Sequence, residues 1–285
     1  MANILTAIQN LLGLNDTNVG EVREGNNRAN NMGDAFETYI KNIFAGVPRN
    51  GLAGSERQKK YEETFSYCGN SSNPPDAILR GGDAIEIKKL ETKDSQIQLN
   101  SSFPKNKLHV SDSRIANNAR IAEEWTEKDL LYIVGNIDKT SKKLRSMWWV
   151  YGDCFCADSS VYTGLSDKIS SALRSIPDVN FSPTNELGRI NSVDLLAVTD
   201  LRIRGMWLLK NPHKIFGEYA EYRNLAKFQL FVLMMEEKWK SFPIEDREKI
   251  LKLKNSGILD VSDELVPDPN QPARSIRCKL IKYAE

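Results

Sequence analysis

Residues 74–90 constrain the fold more than any other stretch: Pro74-Pro75-Asp76-Ala77-Ile78-Leu79-Arg80-Gly81-Gly82-Asp83-Ala84-Ile85-Glu86-Ile87-Lys88-Lys89-Leu90. Two short apolar runs, 76–80 and 84–90, flank Gly81-Gly82-Asp83, a hairpin turn signal. Side chains alternate between the faces of a strand, so Glu86 and Lys88 share one face while Ile85 and Ile87 point into a core. Charges on an apolar strand are costly unless their face is wet or functional. Asp76 reaches the face of Glu86 only if the turn has an odd number of residues or a bulge corrects the register. A three-residue turn at Gly81-Gly82-Asp83 satisfies this. It predicts Asp76 opposite Lys88, with Glu86 diagonal and within about 7–8 Å.

The rest of the chain reads as alternating helices and strands. Residues 3–13 form a short amphipathic helix, and 14–30 a polar arm rich in Asn and Gly. Met32, Ala35, Phe36, Tyr39, Ile40, Ile43 and Phe44 recur at helical spacing, predicting a helix over 31–45. A basic stretch at 49–60 precedes a strand at 61–67. A helix is expected at 112–125. The continuous apolar character of 129–137 and 144–151 predicts two central, well-buried strands. A helix at 159–175 follows, then a sheet region at 193–209. The longest expected helix, 214–240, is a core or dimer element. The fold class is α/β, with a mixed sheet flanked by helices. One domain over 1–285 is expected: an N-terminal helix and arm (1–30), a catalytic core (31–152), and an elaboration for recognition and dimerisation (153–285).

Composition removes several alternatives. The 285 residues can bury a large core without disulfide or metal. No apolar run approaches a membrane span. The first 14 residues lack a basic leader and a small-residue cleavage site, so a secretory signal is not expected. Cys68, Cys154, Cys156 and Cys278 form no CxxC pair and read as reduced cytosolic thiols. His109 and His213 are the only histidines, too few for most zinc or His-based nucleophilic chemistry. No P-loop occurs. Lys and Arg total 39 against 38 Asp and Glu, a net charge of +1. That argues against a polybasic binder and leaves room for a local basic cleft.

Asp76, Glu86 and Lys88 at one end of a hairpin suit a definite chemistry. Carboxylate oxygens are the hard ligands Mg²⁺ prefers. A lysine beside them holds or deprotonates water and offsets charge on a phosphoryl group. Attack of water on a phosphodiester needs this set. A surface hairpin with a structural salt bridge accounts equally well for the three residues alone.

Pro75-Asp76 followed by Glu86-Ile87-Lys88 resembles the PD-(D/E)XK nuclease motif. Gly33-Asp34-Ala35-Phe36-Glu37 resembles the first core helix of that superfamily, whose acidic residue, here Glu37, often faces the metal site. The element order is similar to its αβββαβ core. The flanks are closer still to the NgoPII family of type II restriction endonucleases. They include residues 26–33, the run from Tyr67 to Asp76, residues 99–105, residues 125–135, and Leu201-Arg202-Ile203-Arg204-Gly205-Met206-Trp207. The resemblance implies a Mg²⁺-dependent enzyme that cuts both strands of a short GC-rich palindrome, GGCC in the family's namesake, leaving 5′-phosphates. Its implied metal ligands are Asp76, Glu86 and the Ile87 carbonyl, with Lys88 acting on water. A prokaryotic cytoplasm and a DNA methyltransferase of the same system are implied as well.

Double-stranded DNA is the expected partner. Arg202 and Arg204, two apart in an apolar strand, share a face and are candidates for guanine contacts. Asn100, Ser101, Ser102 and Lys105 follow the catalytic strand closely. Asn30 and Asn31 close the polar arm, and Lys89 extends the basic end of the strand. Positive potential is expected in one groove near Lys88, Lys89, Lys105 and Arg204. A palindromic site calls for a homodimer. The rival readings are a structure-selective repair nuclease or junction resolvase, and a non-catalytic DNA-binding protein on the same fold.

Overall fold

The computed structural model describes residues 1–14, 17–19, 28–48, 51–69, 74–92, 94–99, 102–112 and 114–285, the side chains of 28–32 apart. The chain starts with α1 (Ile4–Leu14), α2 (Arg28–Ala45) and α3 (Gly54–Thr64). It continues through β1 (Phe65–Cys68), β2 (Ala77–Leu79), β3 (Ala84–Leu90), β4 (Ile97–Leu99), β5 (Lys107–His109) and the single turn α4 (Asn117–Arg120). Next come β6 (Glu127–Ile137), β7 (Leu144–Tyr151), α5 (Gly152–Phe155) and α6 (Ser159–Arg174). Short elements follow: β8 (Gly188–Ile190), β9 (Leu201–Ile203), β10 (Trp207–Leu209) and α7 (Pro212–Phe216). The last are β11 (Gln229–Met235), α8 (Glu236–Ser241), α9 (Ile244–Asn255), β12 (Asp260–Pro267) and β13 (Ser275–Ala284).

The main sheet runs β1-β2-β3-β6-β7-β11-β13-β12, with β5 paired to the start of β6. β3 is parallel to β6 and β7 is parallel to β11, while the other neighbours are antiparallel. The sheet is therefore mixed, as expected. β6 and β7 lie at its centre because both of their faces are apolar. Leu131, Ile133 and Trp149 face one side, with Ile4, Ile8, Phe36 and Ile40 from α1 and α2. Leu130, Tyr132, Val134, Trp148 and Val150 face the other, with Phe216 of α7. Gly135 of β6 leaves room for the Phe36 ring, since a Cβ there would come within 2.2 Å of it. That close approach seats α2 on the sheet and fixes the position of Glu37, the next residue.

Several expectations need correction. The run from Gln229 to Met235 is strand β11, not part of a long helix over 214–240. It lies between β7 and β13 and is buried on both faces, so its apolar residues carry no helical period. It is core, and it offers no surface for dimerisation. Within 214–240 the helices are only the end of α7 and α8. Residues 61–64 finish α3, so the strand expected at 61–67 begins at Phe65. The helix at 112–125 shrinks to the single turn α4. The sheet region at 193–209 resolves into two ribbons, β8 with β9 and β10 with β4.

Candidate active site

The hairpin has the expected parity but a different register. Leu79 N–H bonds to the Asp83 carbonyl (2.9 Å), which makes Arg80-Gly81-Gly82 the three-residue turn. Gly81 takes φ +64°, which suits glycine. Ala77 pairs with Ile85 and Ile78 with Ala84. One further step puts Asp76 beside Glu86 rather than Lys88, because the turn starts one residue earlier than expected. The two carboxylates are thus closer neighbours than the sequence implied.

Asp76 leads into β2. Its N–H donates to the Ile85 carbonyl (2.9 Å), and its carbonyl accepts from Gly69 (2.8 Å). One carboxylate oxygen, Oδ2, accepts from the Ile87 N–H at 2.6 Å. Lys88 Nζ lies 2.6 Å from Glu86 Oε1 and 3.8 Å from Asp76 Oδ2. Asp76 and Glu86 are 7% and 8% exposed, so both charges sit where water is scarce. The other oxygen, Glu86 Oε2, is buried and has no hydrogen-bond partner.

Electrostatics follow from that geometry. Burial pushes the Glu86 carboxyl up to about 7; the Asp76 charge adds to this and Lys88 offsets part of it. Burial and Asp76 likewise raise Glu37, which stands 3.4 Å from Lys41. For Lys88, burial favours the neutral form, but Glu86 and then Asp76 outweigh it and the pKa rises. Lys88 is accordingly a cation here. Two buried carboxylates with an orphaned oxygen fit a bound cation, which would offset the burial and the Asp76 charge that raise the Glu86 pKa. Among the described residues no cluster of three or more His, Cys, Asp and Glu side chains is arranged to hold a metal. A cation here would complete its shell with water and backbone oxygen, as Mg²⁺ does.

The other expected site residues are spread more widely. Ile87 sends its side chain into the core, and its N–H is engaged by Asp76. Lys89 pairs with Glu91 at 3.4 Å. Ser102 is buried, its hydroxyl donating to the Phe103 carbonyl at 3.3 Å. Lys105 is no surface cation: it is buried, ion-paired with Asp112 and stacked 3.9 Å from the Phe103 ring centroid. Arg202 and Arg204 are exposed on the β8–β9 ribbon and both contact Glu186. Asn30 and Asn31 belong to α2, whose side chains there are not described. Asn100 and Ser101 lie outside the described residues.

Sequence reasoning missed the residues that brace the site. Tyr132, beside Glu86 in the β3–β6 register, accepts from the Lys105 N–H (2.9 Å) and donates to its carbonyl (3.1 Å). Asp83, read as a turn residue, is buried and accepts from Tyr151 (2.6 Å) and Lys238 (2.5 Å). Lys238 also reaches Asp129 at 2.7 Å, tying α8 to the starts of β3 and β6.

Similarity to known proteins defines the class first: residues 2–266 match the family NgoPII restriction endonuclease, so this is a restriction enzyme, a DNA endonuclease. Over 282 residues the chain is 44% identical to the type II restriction enzyme NgoPII of Neisseria gonorrhoeae, covering 99% of each chain. The chain belongs to the NgoPII family of type II restriction endonucleases. No solved structure matches it.

Proposed function

We propose that the chain hydrolyses both strands of duplex DNA at a short GC-rich palindrome, with GGCC the best candidate, using Mg²⁺ and leaving 5′-phosphates. It would do so as a homodimer, each protomer one domain built on a PD-(D/E)XK core. Its setting would be a prokaryotic cytoplasm that also holds a methyltransferase for the same site. The observation that carries this reading is the buried, unpartnered Glu86 Oε2 beside Asp76 and Lys88. A structural salt bridge accounts for the Lys88 contacts and leaves that oxygen unexplained.

Asp76, Glu86 and the Ile87 carbonyl would hold the ion. Bound there, Mg²⁺ would offset negative charge developing at phosphorus and make water a better nucleophile. The chain's own groups supply the rest. Asp76 is oriented by the Ile87 N–H. Lys88, held as a cation by Glu86 and Asp76, orients the attacking water and the phosphate oxygen it approaches. Glu37 adds a third carboxyl group at the edge of the site. Arg202, Arg204 and Lys89 would contact DNA, with the segment from Asn100 to Lys105 and the Asn30-Asn31 end of the arm alongside.

Digestion of a sequenced plasmid with Mg²⁺, followed by end mapping, tests the reading. Discrete fragments with 5′-phosphate ends at GGCC are expected, and a smear would overturn sequence-specific cutting. Asp76→Asn, Glu86→Gln and Lys88→Ala should each lower the cleavage rate by about 10²-fold or more, as loss of a charge-stabilising group does. Unchanged cutting by any one of them removes that residue from the site.

A further inference from the structure

The β8–β9 ribbon carries its positive charge already compensated. Arg202 grips Glu186 with two N–H groups, Nε at 3.0 Å and Nη2 at 2.6 Å. Arg204 Nε lies 2.8 Å from the same carboxylate. Arg189, opposite Arg202 in the ribbon, is held by Asp200 (2.9 Å) and Asn191 (2.7 Å). The arginines are the outward members of the cluster: the side chains of Arg202 and Arg204 are 54% and 60% exposed, that of Glu186 only 17%. Thr184 Oγ1 accepts from the Glu186 N–H (3.1 Å), which fixes the carboxylate's base. Beside it a cavity of about 450 Å³ is lined by Arg114, Arg174, Asp167, Ser166, Ser170 and Thr184.

A carboxylate gripped by two guanidinium groups makes the contacts a phosphate would make. We propose that Glu186 is a specificity-determining residue, an internal anion that neutralises Arg202 and Arg204 until DNA displaces it. Ion pairs this exposed open at little cost, so the cluster is not a structural staple. Non-cognate DNA offers the arginines only backbone phosphates, and those compete with a tethered carboxylate. A cognate sequence adds guanine O6 and N7 acceptors in the major groove, which the same planar groups bind bidentately. Glu186 therefore subtracts most from binding that carries no sequence information. This inference rests on the reading that Arg202 and Arg204 face DNA.

The test compares wild type, Glu186→Gln and Glu186→Ser with Arg202→Ala/Arg204→Ala. Affinity for a GGCC duplex and for a duplex lacking that sequence is measured across salt concentrations with divalent metal chelated. Freeing two cations should raise affinity for the non-cognate duplex about tenfold at low salt. It should also steepen the slope of log K against log salt by about 2. With Mg²⁺ restored, both Glu186 variants should cut a plasmid at additional, near-cognate sites. Unchanged slope and fragments in the Glu186 variants, with weaker binding by the arginine variant, would overturn this inference alone. Unchanged binding by the arginine variant would overturn the underlying reading as well. Loss of affinity for both duplexes in the Glu186 variants would make Glu186 a positioning residue for the arginines and likewise refute neutralisation.

Discussion

Among the described residues three carboxyl groups, those of Glu86, Asp153 and Asp194, keep one buried oxygen without a partner, and only Glu86 faces the candidate site. Asp153 lies in the first turn of α5, where burial, and then the Asp129 charge, raise its pKa from 3.8 to about 6. The folded protein keeps a proton there that the unfolded chain releases above 3.8. Its contribution to stability is therefore full below pH 3.8 and is lost as pH rises through 6. Asp153→Asn removes that loss. Denaturant unfolding should show the variant more stable than wild type by about 1–3 kcal/mol near pH 8, with little difference near pH 4. An equal gain at both pH values would mean that shape rather than charge is responsible. Residues of this kind mark the limit of what sequence discloses. Asp76, Glu86 and Lys88 are legible because one hairpin holds all three, and strand parity alone puts them on a face. Asp83 looks like a turn residue, and nothing local announces that its carboxylate meets Lys238, which arrives on α8 after nine further strands of the main sheet and its side ribbons.

Among the elements, β6 and β7 were readable and β11 was not, although all three hold long apolar runs. The first two are joined by a short basic turn, so their runs end at recognisable punctuation. β11 is followed directly by helix α8 with no Gly or Pro between them, and a short apolar run such as Leu230 to Met235 fits either periodicity. With β11 inside the sheet, the unburied apolar surface lies elsewhere. Val161, Leu165 and Ile169 recur every fourth residue on α6, are 58%, 49% and 40% exposed, and belong to a helix with no buried residue. The loop joining β8 to β9 exposes Leu195, Leu196 and Val198 at 106%, 83% and 79%. That loop is braced: Asp194 accepts from the N–H groups of Leu196 and Val198, and Asp200 from that of Ser192. Ordered aliphatic patches of this kind mark contact surfaces. Both patches are ordered and apolar, and we propose that they meet across the twofold axis of the proposed dimer. Leu195→Ser with Leu196→Ser should convert dimer to monomer in sedimentation at micromolar concentration and leave the melting temperature of the protomer unchanged. A dimer that survives both changes would place the interface elsewhere.

At the scale of the whole molecule, the near balance of charge, +1 net, goes with local pairing of opposite charges. Lys88 meets Glu86, Lys89 meets Glu91, Lys105 meets Asp112 and Arg204 meets Glu186. The four cations expected to line a positive groove are each paired with an acid, two residues away in the chain for Lys88 and Lys89 and further away in it for Lys105 and Arg204. Each protomer brings one set of Asp76, Glu86 and Lys88. That set stands on β3 and the turn into β2, toward the β1 end of the sheet, well away from the β12–β13 end. A single such site meets one strand of a duplex. In the proposed palindrome the scissile bonds of the two strands are related by a twofold axis, so in the proposed dimer each protomer would cut one strand. A heterodimer of wild type and Asp76→Asn, isolated through two different affinity tags, isolates the point. It should convert supercoiled plasmid to open circles that accumulate, with linear DNA appearing only slowly, whereas the wild-type dimer should give linear DNA directly. If the heterodimer produces linear DNA at half the wild-type rate with no accumulation of open circles, one protomer cuts both strands and the division of labour proposed here is wrong.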